Sequence, residues 1–551
     1  MKKNIITLLL MVLCVFGLVS CGGKDDKPTK TTPSVTTPEA TTPSVTTPSV
    51  TTPSPTTPSE NPGAFPVADK DGFTTIEEIV RYANSLTATS DKDVDIEVTG
   101  TPNFTVPAGG YDGSEVTLKF YHTMGANLKE VLDAYIEEFN VLYPNIHIEN
   151  EQVGNYDDVR NQISTEITVN EQPNIAYCYP DHVALYNLAK KVITLDSLID
   201  STVEVQRADG TTEILGLNQE QKDAFIESYY NEGRQFGDGL MYTMPFSKST
   251  EVLYYNKTFF EEHKIEVPTH WFASNANDTT SLEYVMMQIM TIDPTSIPLG
   301  YDSEANWFIT MAEQCGAPYT SATGERFLFD NVINRTLVKK FKTWYNYMFF
   351  TTQELNGAYT SSLFTATEGI RSYMSIGSSA GATHQRPTAV DGKYPFEVGI
   401  TSIPQMNPNR PKVISQGPSV CIFEKSNPQE VIASWLFVKF LTTSVEFQAE
   451  FSMASGYVPV LSTVMENEVY ANFISQADGG DHIAALSAKV CLEQEHAYYT
   501  SPAFNGSSTA RDQVGGLMAA VFGSMTTEDS AINKLIKDEF AKALYECEYN
   551  S

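Results

Sequence analysis

Basic residues are scarce in this chain. Its 551 residues hold 36 Lys and Arg against 68 Asp and Glu, a formal charge of −32. A surface of that sign repels nucleic acid and anionic lipid. No basic stretch with interleaved aromatics offsets it, so nucleic-acid binding is set aside. Cysteine is scarce too: the seven stand at 14, 21, 178, 315, 421, 491 and 547, without a C-x-x-C pair or metal-ligand spacing. That argues against a disulfide framework. It leaves Cys178, Cys315, Cys421, Cys491 and Cys547 as mostly small buried hydrophobes, with no metal or other cofactor expected. Past the first twenty residues no apolar run is long enough to cross a bilayer.

What the first sixty residues do contain is addressing and spacing. Lys2 and Lys3 precede an apolar run from Ile5 to Phe16, the plan of a secretory signal covering 1–20. Leu18-Val19-Ser20-Cys21-Gly22 resembles a bacterial lipobox, which implies that Cys21 carries lipid and anchors the mature chain to a membrane. An ordinary signal peptide with a chance cysteine is the alternative. Residues 21–63 repeat Thr-Thr-Pro-Ser-Val and offer almost nothing to bury, so they read as an extended tether. Residues 64–113 read as a small appendage. Ile76, Ile79 and Val80 are at near-helical spacing behind a cap at Thr74 or Thr75, and 93–99 alternate like a strand.

From Val116 the pattern is regular. Val116–His122 is a strand. Leu128, Val131, Leu132, Tyr135, Ile136 and Phe139 then form one continuous helical face, which Pro144 ends. A strand at 146–151, a helix at 155–169 and a strand at 173–178 follow. This alternation predicts an α/β fold with a parallel sheet. Ligands of such sheets bind beyond the carboxyl ends of the strands, which puts His122, Tyr156 and Asp181 on one rim. Further on, Val252-Leu253-Tyr254-Tyr255 reads as a buried strand. The hydroxyls before it, Ser247, Ser249 and Thr250, are either a satisfied turn or the floor of a polar cleft.

Five stretches occur in order: FYHTMGANLKEVLDAYIEEFNVLYPNIHI, GNYDDV, QPNIAYCYPD, MPFSKSTEVLYYNKTFFEEH and VPTHW. Together they resemble the extracellular solute-binding proteins that serve ABC importers of sugars, most nearly the glycerol-3-phosphate-binding members, over roughly 115–545. The resemblance implies a type II periplasmic-binding-protein-like fold, two lobes joined by crossing strands with the ligand between them. It divides the chain into 114–250 and 415–455 for the first lobe, 251–414 for the second, and 456–551 mainly for the second. It also implies a small polar solute (a sugar, an oligosaccharide or a polyol phosphate), a permease as partner, a monomer, and no catalysis.

Carried over residue by residue, the ligand contacts would be Tyr156, Ser249, Ser378, Gly417, Tyr457 and Arg511, the last one position off in an ungapped match. The family's acidic contact falls on Pro180, so Asp181 would serve only after a shift of one residue. Trp307, in GYDSEANW, either lines the cleft or packs in a core; Trp344 and Trp435 sit on strongly apolar stretches and read as core. A competing motif is Gly377-Ser-Ser379-Ala-Gly381, which fits the G-x-S-x-G elbow of hydrolases with Ser379 as nucleophile. His482 or His496 could complete such a site, but no HGGG-type loop precedes it. The preferred reading is a strand ending in small residues that let backbone and hydroxyl touch a ligand.

Overall fold

The computed structural model describes residues 73–87, 98–479 and 482–549. The expected signal, Cys21 and the tether lie outside the described residues. Two sheets, one per lobe, organise the rest. In the first lobe, β1 (Val116–His122), β2 (Ile146–Gln152) and β3 (Ile175–Cys178) run parallel. Along β1 the alternation works as written: Val116, Leu118 and Phe120 are buried and Thr117 and Lys119 are exposed. The helix Ala126–Leu142 buries Leu132, Tyr135, Ile136 and Phe139 and stops at Tyr143, one residue before Pro144. The helix Tyr156–Ile167 starts on a reciprocal cap: Asn155 takes the Asp158 N–H and Asp158 reaches back to the Asn155 N–H. A short hairpin of β4 (Glu204–Gln206) and β5 (Thr212–Ile214) follows.

The chain then pairs β6 (Met244–Pro245) into the first sheet and enters the second lobe as β7 (Ser249–Asn256). The second sheet adds β8 (Leu299–Tyr301), β9 (Phe350–Thr352), β10 (Met374–Ser378), β11 (Val398–Ser402) and β12 (Val413–Gln416). β10, β11 and β12 are all antiparallel to β7. Next, β13 (Ser419–Ile422) completes the first sheet, whose order is β2-β1-β3-β13-β6. The helix Pro428–Thr442 is buried nearly all round and packs on β1. The helix Ile483–Glu493 covers β7 and β11, and β14 (Tyr498–Tyr499) joins β12. The helices Ser507–Gly523 and Asp529–Tyr549 close the second lobe.

Three segments therefore pass between the lobes, and they bind one another. Lys248 exchanges backbone hydrogen bonds with Val458, N–H to O 3.0 Å one way and 2.6 Å the other. Its Nζ donates to Glu232 Oε1 at 2.8 Å, Ser419 Oγ at 3.1 Å and the Gly417 carbonyl at 3.4 Å. Gly417 has a positive φ of 93°. A Cβ there would sit 2.5 Å from the Ser247 carbonyl oxygen and 2.7 Å from the Lys248 Cα, so only glycine fits this approach.

The N-terminal stretch touches both lobes. The helix Ile76–Ser85, started by a Thr75–Glu78 capping box, buries Ile79 and Ala83 in the second lobe's core. Asn407 Nδ2 donates to the Ala83 and Leu86 carbonyls at 3.0 and 3.1 Å. Residues 98–113 lie instead along the first lobe: Asn103 Nδ2 donates to the Val192 carbonyl at 2.8 Å, and Ser197 Oγ to that of Phe104 at 2.7 Å. Of the strand expected at 93–99, only Val98 and Thr99 fall among the described residues, and neither is in a strand. Cys178, Cys315, Cys421, Cys491 and Cys547 are free and buried.

Candidate functional site

The capped start of the Tyr156 helix fixes where Tyr156 leaves the first lobe. Its hydroxyl lies 3.4 Å from that of Tyr457, which belongs to the third crossing segment. Its ring packs on Tyr179, centroids 4.7 Å apart, at the end of β3. Burial pushes both the Tyr156 and Tyr457 phenols above their ordinary range, and the crowding of neighbouring phenols adds to this at Tyr156. Both hydroxyls stay protonated and can donate as well as accept. Tyr177, two residues before Tyr179, adds a fourth phenol close to Tyr457. Its buried hydroxyl has no hydrogen-bond partner among the described residues, so it is free for something that enters the site.

The serines come from the other lobe. Ser249 opens β7 and Ser378 ends β10; their hydroxyls are 3.4 Å apart. Gly417 is against the same turn, because its absent side chain would meet the Ser249 nitrogen at 2.9 Å. Tyr457 joins the two groups through its neighbours. Gly456 lies by the Ser379 and Ala380 backbone, and Val458 pairs with Lys248.

Arg511 projects from the helix Ser507–Gly523. Its guanidinium donates to Asn306 Oδ1 and stands close enough to act electrostatically on Tyr179 and His182 in the first lobe and on Glu251 in the second. Asp181 is near the same rim, half-exposed at the start of the helix Pro180–Tyr186. Tyr156, Ser249, Ser378, Gly417, Tyr457, Asp181 and Arg511 thus border one inter-lobe region. The lobes also touch at its rim, where Arg160 Nη1 donates to Ser508 Oγ at 2.8 Å and lies 3.6 Å from Asp512 Oδ2.

Two expected site residues are elsewhere. His122 is fully buried: Nδ1 accepts the Met124 N–H at 3.1 Å and Nε2 faces Asn150 Oδ1 at 3.3 Å. One nitrogen is spent on the turn after β1 and the other on β2, and burial lowers its pKa to about 4, so it stays neutral. Trp307 is at the centre of the second lobe's core, stacked on Tyr301 at 4.8 Å and packed on Phe341 at 4.5 Å. Ser379 does not form a nucleophile either. It is fully buried, its hydroxyl accepts the Thr250 N–H at 3.2 Å, and its carbonyl takes a bond from Ser487.

Sequence reasoning missed Tyr177, Asn306 and Glu251. The signal for Glu251 was present: a single carboxylate directly before the apolar run Val252–Tyr255, where a strand is buried on both faces. Among the described residues no group of three His, Cys, Asp or Glu side chains suits a metal ion, and no helix is long and apolar enough to cross a membrane.

A family model described as bacterial extracellular solute-binding protein matches residues 134–474. The sn-glycerol-3-phosphate-binding periplasmic protein UgpB of Shigella flexneri is 25% identical over 146 residues, 26% of this chain and 30% of that protein. The chain thus aligns with less than a third of that curated relative's length. Among solved structures, the GacH receptor of Streptomyces glaucescens, described unliganded and with acarbose, superposes with a TM-score of 0.58 at 16% identity, over 78% of this chain and 99% of that one. UgpB from Mycobacterium tuberculosis, in complex with glycerophosphocholine, gives 0.57 at 13% identity, over 79% and 99%.

Proposed function

This chain belongs to the bacterial extracellular solute-binding proteins, and from that premise we propose that it captures a sugar or oligosaccharide by closing its two lobes and delivers it to the permease of an ABC importer. The observation that carries this reading is the meeting of Tyr156 and Tyr457, 3.4 Å apart, beside the Ser249–Ser378 pair of the second lobe. Phenol faces suit the apolar side of a pyranose ring, and hydroxyls suit its rim. A ligand held by both lobes stabilises the closed state by its differential affinity for it. Ligand contacts are assigned to Tyr156, Tyr177, Ser249, Ser378, Tyr457 and Arg511, with Asp181 on the rim and backbone contact at Gly417. The lobes divide at the three crossing segments, just ahead of Ser249, just after Gln416 and near Tyr457, each within a few residues of the expected 250, 414 and 455. Cleavage after Ser20, lipidation of Cys21 and a tether to residue 63 would hold the receptor on the outer face of the cell membrane as a monomer. The protein binds its solute and does not transform it.

A second reading has one observation in its favour. Arg511 stands in the inter-lobe region, and a guanidinium pairs strongly with phosphate, which fits glycerol phosphate or a glycerophosphodiester. Native mass spectrometry of the purified chain, followed by a thermal-shift panel of sugars, polyols and their phosphates, separates these. A rise in melting temperature with an oligosaccharide that is recovered unchanged supports the first reading. A rise with phosphates alone supports the second. Chemical conversion of any panel member overturns both.

A further inference from the structure

Behind Arg511 lies a buried acid with no part in the contacts assigned above. Glu251 is 1% exposed, in β7. Its Oε2 accepts from the Tyr301 hydroxyl at 2.6 Å and its Oε1 from Asn306 Nδ2 at 3.0 Å. The other end of that amide, Asn306 Oδ1, accepts from Arg511. One asparagine, 3% exposed, therefore joins a guanidinium facing the cleft to a carboxylate in the lobe interior, with both ends of its amide in use. Among the described residues Asn306 is the one hydrogen-bond partner of Arg511, whose side chain is half-buried beside Tyr179 and His182 of the first lobe.

We propose that Glu251 is a specificity-determining residue: acting through Asn306, it holds Arg511 in place and offsets its charge, so that the cleft prefers an uncharged polyhydroxy solute over an anionic one. This rests on the sugar-binding reading and adds the reason a cation can sit in a site for a neutral guest. The groups facing Glu251 are Tyr301 and Asp302 at the end of β8, Asn306, Arg511, and Tyr499 of β14. Arg511 is the one cation among them. Burial raises the Glu251 carboxyl to about 7, against the hydrogen bonds from Tyr301 and Asn306 and the pull of Arg511. Below that pH the acid is neutral and Arg511 loses its buried counter-charge, the exposed Asp512 nearby being shared with Arg160, so an anion is attracted. Above it the two charges offset each other.

Sulfate is the probe, since it keeps both charges across the range tested. Its binding to the full chain is measured by calorimetry at intervals from about pH 5.5 to about pH 8.5. Wild type should bind on the order of tenfold more tightly at the lower end. Glu251→Gln should bind at both ends as wild type does at the lower one, and Arg511→Gln at neither. His182 also lies near Arg511, and burial lowers its pKa. His182→Asn should keep the pH dependence. A profile in wild type that is flat with pH overturns the proposal, as does a Glu251→Gln variant equal to wild type at high pH, or loss of the dependence in His182→Asn. If Glu251→Gln does not fold, the midpoint shared by wild type and His182→Asn decides, near 7 for and well away from it against. No sugar enters this experiment, so it and the solute panel can fail separately.

Discussion

A histidine with both nitrogens occupied and no exposure, as at His122, resists protonation. Its pKa falls from 6.5 to about 4 on folding. The folded state then holds fewer protons than the unfolded one between those values. The stability this site contributes is full above the unfolded pKa and drains away as pH drops toward the folded one. Urea unfolding should show wild type losing on the order of 3 kcal/mol more than His122→Asn between about pH 7 and about pH 4. Parallel curves would refute it. His122 also marks the limit of reading single residues from the sequence. Its place at the end of β1 was legible, but not that Asn150, on the neighbouring strand, claims its second nitrogen. Trp307 was hidden in the same way, because Tyr301, Phe341, Phe350 and Phe522 come to it from four different elements. Tyr457 was named through the resemblance alone, and Tyr156 through it and its place on the rim; locally only the Asn155 cap that starts the Tyr156 helix could be read from the sequence.

At the scale of elements the crossing segments rest on one buried ion pair. Lys248 is 0% exposed and Glu232 2%, and burial raises the Glu232 carboxyl. Removing one partner leaves a charge without solvent or counter-ion. Lys248→Met should therefore cost about 3–5 kcal/mol in chemical denaturation, and adding Glu232→Gln should restore most of it. A double variant no better than the single one would place the loss in packing, not charge. The strand and helix order of the first lobe was readable because each element carries its own period and punctuation: alternation in β1, the apolar face before Pro144, the Asn155 cap. The ion pair was not readable, since Glu232 and Lys248 are linked by contacts sixteen residues apart that no local pattern encodes.

Across the whole molecule the lobes meet at Arg160, which reaches from one to Ser508 and Asp512 of the other. Such a pair is worth little by itself, about 0.2–1 kcal/mol, yet it acts only when the cleft is shut. Arg160→Ala should shift the population toward open by up to about fivefold without changing the fold. Spin labels at the exposed Val141 and Tyr347 would read this as a growing long-distance component in the ligand-free chain. An unchanged distribution would refute it. The two-lobed architecture was legible through resemblance and not from periodicity, because sheet order depends on how β7, β12 and β13 cross, and crossing leaves no mark in local sequence.

The helix Ile76–Ser85 seats Ile79 and Ala83 in the second lobe, although the first sheet begins only later, at Val116. Mechanical load entering from the N-terminal side is thus taken up by the second lobe before it reaches the first. Were the chain held by that end, the half bearing Arg511 would be the fixed jaw and the half bearing Tyr156 the moving one.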